Sequence, residues 1–344
     1  MNMQISPAGT RYRAPEAIEL VGVIGTGAVG ASWIALFLAH GMRVLAHDPA
    51  PGAELRARSF VADAWPALME LLGTPERALP DTGLRFLDSV EEVAESAQLI
   101  QENGPERPEL KARIISAIDA AASADKIILS STGGIFPSAL QKDCRHPERF
   151  VVVHPFNPAH LIPLVEVVGG AATAPEVCAW AMAFARRCGK QPILLQREAT
   201  GHLTNRLQFA LLREAVHCLA EGIATATDID DAVRYGLGPR WALMGGLLTM
   251  HLAGGAGGMQ GILDHAGDAI EGWWAALGQP HLDGPTRAKL LAAAEEVANG
   301  HSIAEWVEWR DRNLTEMVKL IRQQGAPAAA AAASTLLKEH HVHQ

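Results

Sequence analysis

The sequence predicts an α/β fold with a doubly wound sheet, followed by an all-α C-terminal domain. Short β-branched runs alternate with helical segments as far as Leu195, which is typical of a parallel sheet with helices on both faces. Nearly every segment after Thr200 has apolar residues at helical spacing. Because 344 residues suffice for two domains of ordinary size, we place domains at 1–199 and 200–324, and a low-complexity tail at 325–344.

The first β-α-β unit is predicted between Leu20 and Asp48, with strands at 20–25 and 42–48 and a helix at 28–40. Further strands are predicted at 98–101, 126–130, 150–154, 164–168 and 191–195, and further helices at 54–72, 89–97, 108–122, 138–143 and 175–188. A helix at 201–222 and another that begins near Thr227 follow. In a parallel sheet of this kind, ligands bind at the carboxyl ends of the strands.

A glycine-rich loop joins the first predicted strand to the first predicted helix. It has the pattern GxGxxG and consists of Gly25, Thr26, Gly27, Ala28, Val29 and Gly30. The three glycines permit, in turn, a tight turn, close approach of a pyrophosphate, and close packing of the helix on the strand. This context is typical of a Rossmann-like dinucleotide-binding domain, and an ordinary glycine-rich turn is the alternative.

The acidic residue Asp48 comes at the end of the second predicted strand. A carboxylate in this position accepts hydrogen bonds from both ribose hydroxyls of a dinucleotide and repels a 2′-phosphate. The sequence therefore predicts NAD rather than NADP as the cofactor. The alternative is a surface carboxylate without a ligand.

Two residues suited to proton transfer follow later in the sheet. His154 ends a predicted buried strand, and imidazole titrates near neutral pH, as a base for alcohol oxidation must. Glu166 lies among apolar residues, where an unpaired carboxylate is costly to bury. We therefore expect His154 and Glu166 to be partners, although either residue alone is more often structural.

Six motifs together resemble the L-3-hydroxyacyl-CoA dehydrogenase superfamily. They lie at Val23 to Gly30, Gln101 to Glu106, Ser130 to Thr132, His154 to Pro158, Pro163 to Gly169, and Gly201 to Leu207. The resemblance implies a homodimeric enzyme that uses NAD to oxidise an L-3-hydroxy acid to the 3-oxo acid. It also implies that His154 and Glu166 form the acid–base pair.

The resemblance assigns further roles. The residue that matches Asn205 holds the reacting oxygen, and those that match Glu102 and Asn157 approach the nicotinamide ribose. Ser131, Thr132 and Gly133 match a segment that contacts the substrate, but the superfamily has a serine where this chain has Gly133. That change weakens turnover, widens the pocket, or passes the contact to a neighbouring hydroxyl or a water.

The resemblance is strongest to members of the superfamily that oxidise L-carnitine. Trp241, in the C-terminal domain, could then hold the quaternary ammonium group against its ring, although a core tryptophan is equally compatible with the sequence. The pairs Trp273 and Trp274 or Trp306 and Trp309 could serve the same role, and the sequence does not rank them. L-3-Hydroxyacyl-CoA and L-gulonate are the alternative substrates. A nucleotide-binding protein without catalytic activity is the alternative of another class.

The composition restricts the partners and the location. A formal net charge of −9 disfavours binding to nucleic acid. No apolar run is long enough to cross a bilayer, and the first residues do not resemble a secretory signal. We therefore expect a cytoplasmic protein that binds a small-molecule substrate and neither a membrane nor nucleic acid. We expect no metal site, because the tail histidines His340, His341 and His343 lack further ligands at suitable spacing.

Overall fold

The computed structural model describes residues 11–324. The chain forms two compact units, of which the first ends at Gln208 and the second begins at Phe209. This division falls inside a helix, so the domain boundary placed at residue 200 stays a prediction. The low-complexity tail 325–344, with its three histidines, lies outside the described residues.

The described part of the first unit contains one eight-stranded sheet. Its strand order is β3-β2-β1-β4-β5-β6-β7-β8, and all neighbours are parallel except β6 and β7. The strands are β1 (Leu20–Ile24), β2 (Arg43–His47), β3 (Leu84–Phe86), β4 (Leu99–Glu102), β5 (Ile128–Ser130), β6 (Phe150–Pro155), β7 (Leu164–Gly169) and β8 (Gln191–Leu194). The predicted doubly wound sheet is confirmed.

Helices connect most of these strands. They are α1 (Ala28–Ala39), α2 (Ala53–Leu71), α3 (Val90–Ser96), α4 (Pro108–Ala121), α5 (Pro137–Leu140) and α6 (Pro175–Arg187), followed by α7 (Thr204–Ala220). Proline occupies one of the first two positions of α4, α5 and α6, where its missing N–H is not needed. The Ser89 side chain caps α3 by accepting a hydrogen bond from the Glu92 amide.

Two features of the sheet differ from the sequence prediction. The edge strand β3 was not predicted because it has only three residues, too few to show a period. The β6–β7 pair is antiparallel, whereas regular alternation predicted a parallel sheet. The short connection 156–163 contains no helix, and parallel strands need a much longer crossover.

Alternating strand residues form two apolar layers on the two faces of the sheet. Val151 and Val153 pack in the layer that contains α1, while Val152 packs with Ile115 and Ile118 of α4 on the other face. Every residue of β6 is buried. Packing on both faces of the sheet therefore fixes the carboxyl ends of the central strands.

The described part of the second unit is helical, which confirms the predicted all-α region. It contains the remainder of α7 and then α8 (Ala226–Asp231), α9 (Gly238–Ala253), α10 (Gly258–Ala276), α11 (Gly284–Ala298) and α12 (Ile303–Gln324). Ala232–Leu237 forms a π-helical turn before α9, and α9 is kinked at Gly245. Within residues 11–324, none of the helices has the length and apolar character needed to span a bilayer.

Candidate active site

The glycine loop between β1 and α1 has one open side. Gly25 has a φ of +83°, and a Cβ atom there would stand 2.7 Å from the Asn103 carbonyl oxygen. A Cβ atom at Gly30 would overlap the Gly25 carbonyl oxygen, whereas one at Gly27 would meet nothing within 4 Å. The α1 N-terminus has no side-chain cap, so its first amides remain available to an anion. These features fit the pyrophosphate of a dinucleotide.

Asp48 is placed beside this loop. Its Oδ2 atom accepts hydrogen bonds from the Thr26 amide at 2.7 Å and the Thr26 hydroxyl at 3.2 Å, and Oδ1 accepts one from the Ala50 amide at 2.9 Å. The carboxylate lines a cleft of about 720 Å³ together with His47 and Phe86. Arg58 also lines the cleft but is paired with Glu54. The adenosine ribose of a dinucleotide would fit beside Asp48. Because Arg58 is already paired, it is not available to bind a 2′-phosphate in this cleft.

The antiparallel pairing of β6 and β7 brings His154 and Glu166 together. The two residues are directly opposite in the strand register, and the His154 Nδ1 atom lies 2.8 Å from Glu166 Oε2. The Glu166 side chain is completely buried, whereas 9% of the His154 side chain is exposed. Because Nδ1 faces the carboxylate, it carries the hydrogen, and Nε2 is left with a lone pair that can accept a proton.

The second oxygen of Glu166 is held by the segment that follows β8. Its Oε1 atom accepts hydrogen bonds from the Leu203 amide at 3.0 Å and the Thr204 amide at 2.7 Å. Burial alone raises the pKa of Glu166, but the hydrogen bonds from His154, Thr204 and Leu203 outweigh it and leave that pKa below its ordinary value. Glu166 is therefore a carboxylate at neutral pH, and it accepts the hydrogen of His154 Nδ1.

Asn205 and Gly133 lie next to the free nitrogen of His154. The Asn205 Nδ2 group donates a hydrogen bond to the Gly133 carbonyl at 2.9 Å. A Cβ atom at Gly133 would stand 3.1 Å from His154 Nε2 and 3.3 Å from Asn205 Nδ2. A side chain at position 133 would therefore crowd both nitrogens, and glycine avoids this contact. His154, Glu166, Asn205 and Gly133 are thus brought together within the first unit.

The hydroxyl groups of Ser131 and Thr132 are already engaged. The Ser131 hydroxyl donates to Asn103 Oδ1 at 2.8 Å and accepts from the Trp33 and Gln101 side chains, both at 2.9 Å. The Thr132 hydroxyl donates to Glu106 Oε1 at 2.6 Å. Because each hydroxyl hydrogen is already donated, neither is free to replace the serine that the superfamily has at position 133. A contact of Ser131 or Thr132 with the substrate stays a prediction.

Glu102 has a partner that the sequence analysis missed. The Lys111 Nζ atom lies 2.9 Å from Glu102 Oε1 and 3.1 Å from Oε2, and both side chains are buried. The carboxylate also accepts hydrogen bonds from the Gly104 amide at 2.6 Å and the Ser130 hydroxyl at 2.5 Å. All these contacts of Glu102 are internal, so its approach to the nicotinamide ribose stays a prediction. Lys111 shares the buried face of α4 with Ile115 and Ile118, and a lysine at that spacing was the available signal.

Two predicted site residues have no described side-chain hydrogen bond. Asn157 is exposed in the connection after β6, and its contact with the cofactor stays a prediction. Trp241 lies on α9 of the second unit, where 39% of its surface is exposed. Its contact with the substrate also stays a prediction.

Two family profiles together match most of the chain. Residues 20–199 match the 3-hydroxyacyl-CoA dehydrogenase NAD binding domain, and residues 201–289 match the 3-hydroxyacyl-CoA dehydrogenase C-terminal domain. The first match contains the glycine loop, Asp48, His154 and Glu166, and the second begins at the segment that holds Asn205. The whole candidate site of the first unit therefore lies within the matched residues.

Individual proteins and structures show the same similarity. L-Carnitine dehydrogenase of Streptomyces griseus is 46% identical over 306 residues, 89% of this chain and 91% of that protein. L-Carnitine dehydrogenase of Bacillus cereus is 43% identical over 307 residues, 89% of this chain and 94% of that protein. The crystal structure of FHMPC 5-dehydrogenase, an NAD⁺-dependent dismutase, has a TM-score of 0.74 at 30% identity and covers 89% of this chain and 99% of its own.

Proposed function

The chain belongs to the 3-hydroxyacyl-CoA dehydrogenase family, and we propose that its substrate is L-carnitine, oxidised at the 3-hydroxyl group to 3-dehydrocarnitine. It is an NAD-dependent oxidoreductase that acts on a CH–OH group. The observation that carries the choice of substrate is the 41–46% identity to L-carnitine dehydrogenases over 88–92% of this chain. The reaction yields the 3-oxo acid, NADH and one proton.

His154 is the proposed base. Its Nε2 atom accepts the hydroxyl proton, while Nδ1 keeps its hydrogen bond to Glu166. The buried carboxylate stabilises the imidazolium that forms, because opposite charges attract strongly where water is excluded. NAD, when bound, supplies the acceptor for the hydride that leaves the alcohol carbon.

The space beside Gly133 is the proposed position of the reacting oxygen. Glycine at position 133 lets an oxygen approach both nitrogens from the side where a Cβ atom would stand 3.1 Å from His154 Nε2 and 3.3 Å from Asn205 Nδ2. An amide NH₂ group has two hydrogens, so Asn205 can hold the Gly133 carbonyl and also donate to this oxygen. The hydroxyls of Ser131 and Thr132 are engaged, which argues against transfer of the missing serine contact to either of them.

Trp241 is the proposed site for the trimethylammonium group of L-carnitine. Trp306 and Trp309 pack against each other with ring centroids 5.3 Å apart, and the Arg234 guanidinium lies 5.6 Å from the Trp309 ring. Trp241 has no aromatic or cationic neighbour of this kind among the described residues. Replacing it by leucine should raise KM for L-carnitine about 2- to 30-fold, the range of a cation–π contact. Trp241→Phe should lose less. Trp273→Leu should leave KM near the wild-type value, and a rise in KM there instead would assign the contact to Trp273.

A substrate panel tests the proposed function directly. Purified protein with NAD⁺ is supplied with L-carnitine, L-3-hydroxybutyryl-CoA, L-3-hydroxybutyrate or L-gulonate, and NADH absorbance is followed. We expect the highest kcat/KM for L-carnitine and no turnover of D-carnitine. Preference for a CoA thioester or for L-gulonate would overturn the substrate assignment but not the family. NADH binding without turnover of any alcohol would favour a catalytically silent protein.

We also propose that the enzyme is a cytoplasmic homodimer. The four cysteines are free thiols in the structure, as a reducing compartment would keep them. The described helices of the second unit expose large apolar residues, among them Leu247 and Trp274, which a self-complementary interface would cover. Sedimentation equilibrium should give twice the chain mass of 36.6 kDa, and a monomer at micromolar concentration would contradict the proposal.

A further inference from the structure

His202 is a buried histidine next to the acid–base pair. It is completely buried, and its ring centroid lies 5.5 Å from that of His154. Its φ of +50° is in the left-handed region, directly after Gly201 with a φ of +72°. Left-handed backbone is uncommon for residues other than glycine and costs free energy. The surrounding contacts must therefore hold this conformation.

The His202 ring holds the turn that follows β5. Its Nε2 atom lies 3.1 Å from the Thr132 carbonyl oxygen. A carbonyl accepts only, so Nε2 carries the hydrogen and Nδ1 carries a lone pair. The Nδ1 atom is buried and accepts no hydrogen bond from any of the described residues.

The residues around His202 connect the two halves of the site. Two amides, those of Leu203 and Thr204, hold Glu166 on β7. The next side chain, Asn205, donates to the Gly133 carbonyl, one residue after the carbonyl that His202 holds. Residues 202–205 therefore bridge the acid–base pair and the Thr132–Gly133 turn, and His202 contacts both sides of that bridge.

We propose that His202 is a positioning residue, which as a neutral imidazole sets the distance between the His154–Glu166 pair and the turn that carries Gly133. This inference rests on the proposed role of His154 as the base. The space for the reacting oxygen lies between His154 and Gly133, and reaction rates depend steeply on such distances. Loss of the Thr132 bond would let the turn move away from His154 Nε2.

The charges around His202 favour its neutral form. Burial lowers the pKa of His202, and a charge on His154 lowers it further, while the Thr132 carbonyl, Glu166 and Glu106 act in the opposite direction. A protonated His202 would place a second buried positive charge beside His154. The site can therefore charge His154, which has the direct bond to Glu166, while His202 stays neutral.

Two variants distinguish the effect of losing the hydrogen bond to Thr132 from the effect of losing the aromatic ring. His202→Phe keeps an aromatic ring but removes the donor to Thr132, and His202→Gln keeps a donor but removes the ring. With the substrate that the wild type oxidises best, we expect His202→Phe to lower kcat at least about tenfold, with NADH affinity unchanged and partial rescue in His202→Gln. His146, whose side chain is 42% exposed, provides the control His146→Phe, which should match the wild type. Unchanged kcat in both folded His202 variants would overturn the proposal.

The wild-type protein provides a second test that does not depend on turnover or on the stability of a variant. In ¹⁵N-histidine NMR, the His202 ring should keep a protonated Nε2 and an unprotonated Nδ1 from pH 6 to pH 9. A His202 ring that becomes charged in this range, or that carries its hydrogen on Nδ1, would overturn the proposal. Failure of L-carnitine in the substrate panel changes neither result, so the two proposals fail separately.

Discussion

Glu166 and Glu102 are two buried carboxylates in one sheet with different partners. Both side chains are completely buried and both have a basic partner. Glu102 is bound to Lys111, which is as deeply buried as the carboxylate, and all its contacts lie inside the protein. Glu166 is bound to His154, whose other nitrogen lies beside Gly133.

The difference between the two pairs lies in the partner and not in the acid. A lysine ordinarily stays charged at neutral pH, so the Glu102–Lys111 pair does not exchange protons with a ligand. An imidazole changes charge near neutral pH, and Glu166 stabilises its charged form. We infer that one pair fastens β4 to α4 and that the other performs proton transfer. The following variants test this division.

Replacement of His154 should have the largest effect. We expect His154→Gln to lower kcat by about 10²- to 10⁴-fold, because a positioned general base contributes that much. NADH affinity, measured by fluorescence titration, should remain close to that of the wild type. Steady-state oxidation at an unchanged rate would show that the His154–Glu166 pair is structural, as the Glu102–Lys111 pair is.

Replacement of Lys111 should have the next largest effect, and it should act on stability. Lys111→Met leaves the Glu102 carboxylate buried without its cation, which costs about 3–5 kcal/mol in the free energy of unfolding. Urea denaturation measures this loss. The double variant Glu102→Leu with Lys111→Met should recover part of it, because no buried charge remains.

Turnover by the Lys111→Met molecules that remain folded sharpens the comparison. It should fall far less than in His154→Gln, since Lys111 does not border the space at Gly133. Equal losses of kcat in the two variants would contradict the division of roles.

The sequence predicted the parts of the fold that depend on local periodicity. The first β-α-β unit and the buried run of β6 appear with boundaries within about one residue of the prediction. The edge strand β3 was missed because three residues show no period, and the antiparallel β6–β7 pair because alternation does not specify strand direction. That pair places His154 opposite Glu166, so the geometry of the site depends on a feature that the pattern did not predict.

The sequence predicted a site contact where burying one residue without a partner would cost free energy. An acid among apolar residues pointed to a partner for Glu166, and the structure places His154 there. The partner of Glu102 was missed because Lys111 lies on a helix, and only tertiary packing brings the two together. His202 gave no signal, because its left-handed backbone and its bond to Thr132 are not visible in the sequence.

Neutralising Glu166 should have a smaller effect on rate than losing His154. We expect Glu166→Gln to lower kcat about 10- to 100-fold, since a hydrogen bond to a charged group contributes about 1.5–3 kcal/mol. The amide oxygen can still accept from Leu203 and Thr204, so the segment 202–205 should stay in place. Steady-state kinetics at pH 7 and pH 9 measure the loss. A deficit that disappears at one of these pH values would contradict the role of Glu166 in stabilising the imidazolium.

The smallest expected effect is the pH dependence that Glu166 gives to stability. Its pKa in the folded protein lies below the value of about 4.3 expected in the unfolded chain. The ionised carboxylate therefore stabilises the fold fully above about pH 4.3, and this contribution is lost as pH falls through the lower folded pKa. Urea denaturation from pH 5 to pH 3.5, a range in which a free histidine is already protonated, should show a constant difference between wild type and Glu166→Gln down to about pH 4.3, and a shrinking advantage of the wild type below it. An advantage of the wild type that grows as pH falls through this range would mean that the folded pKa of Glu166 is raised, as burial without its three donors would make it.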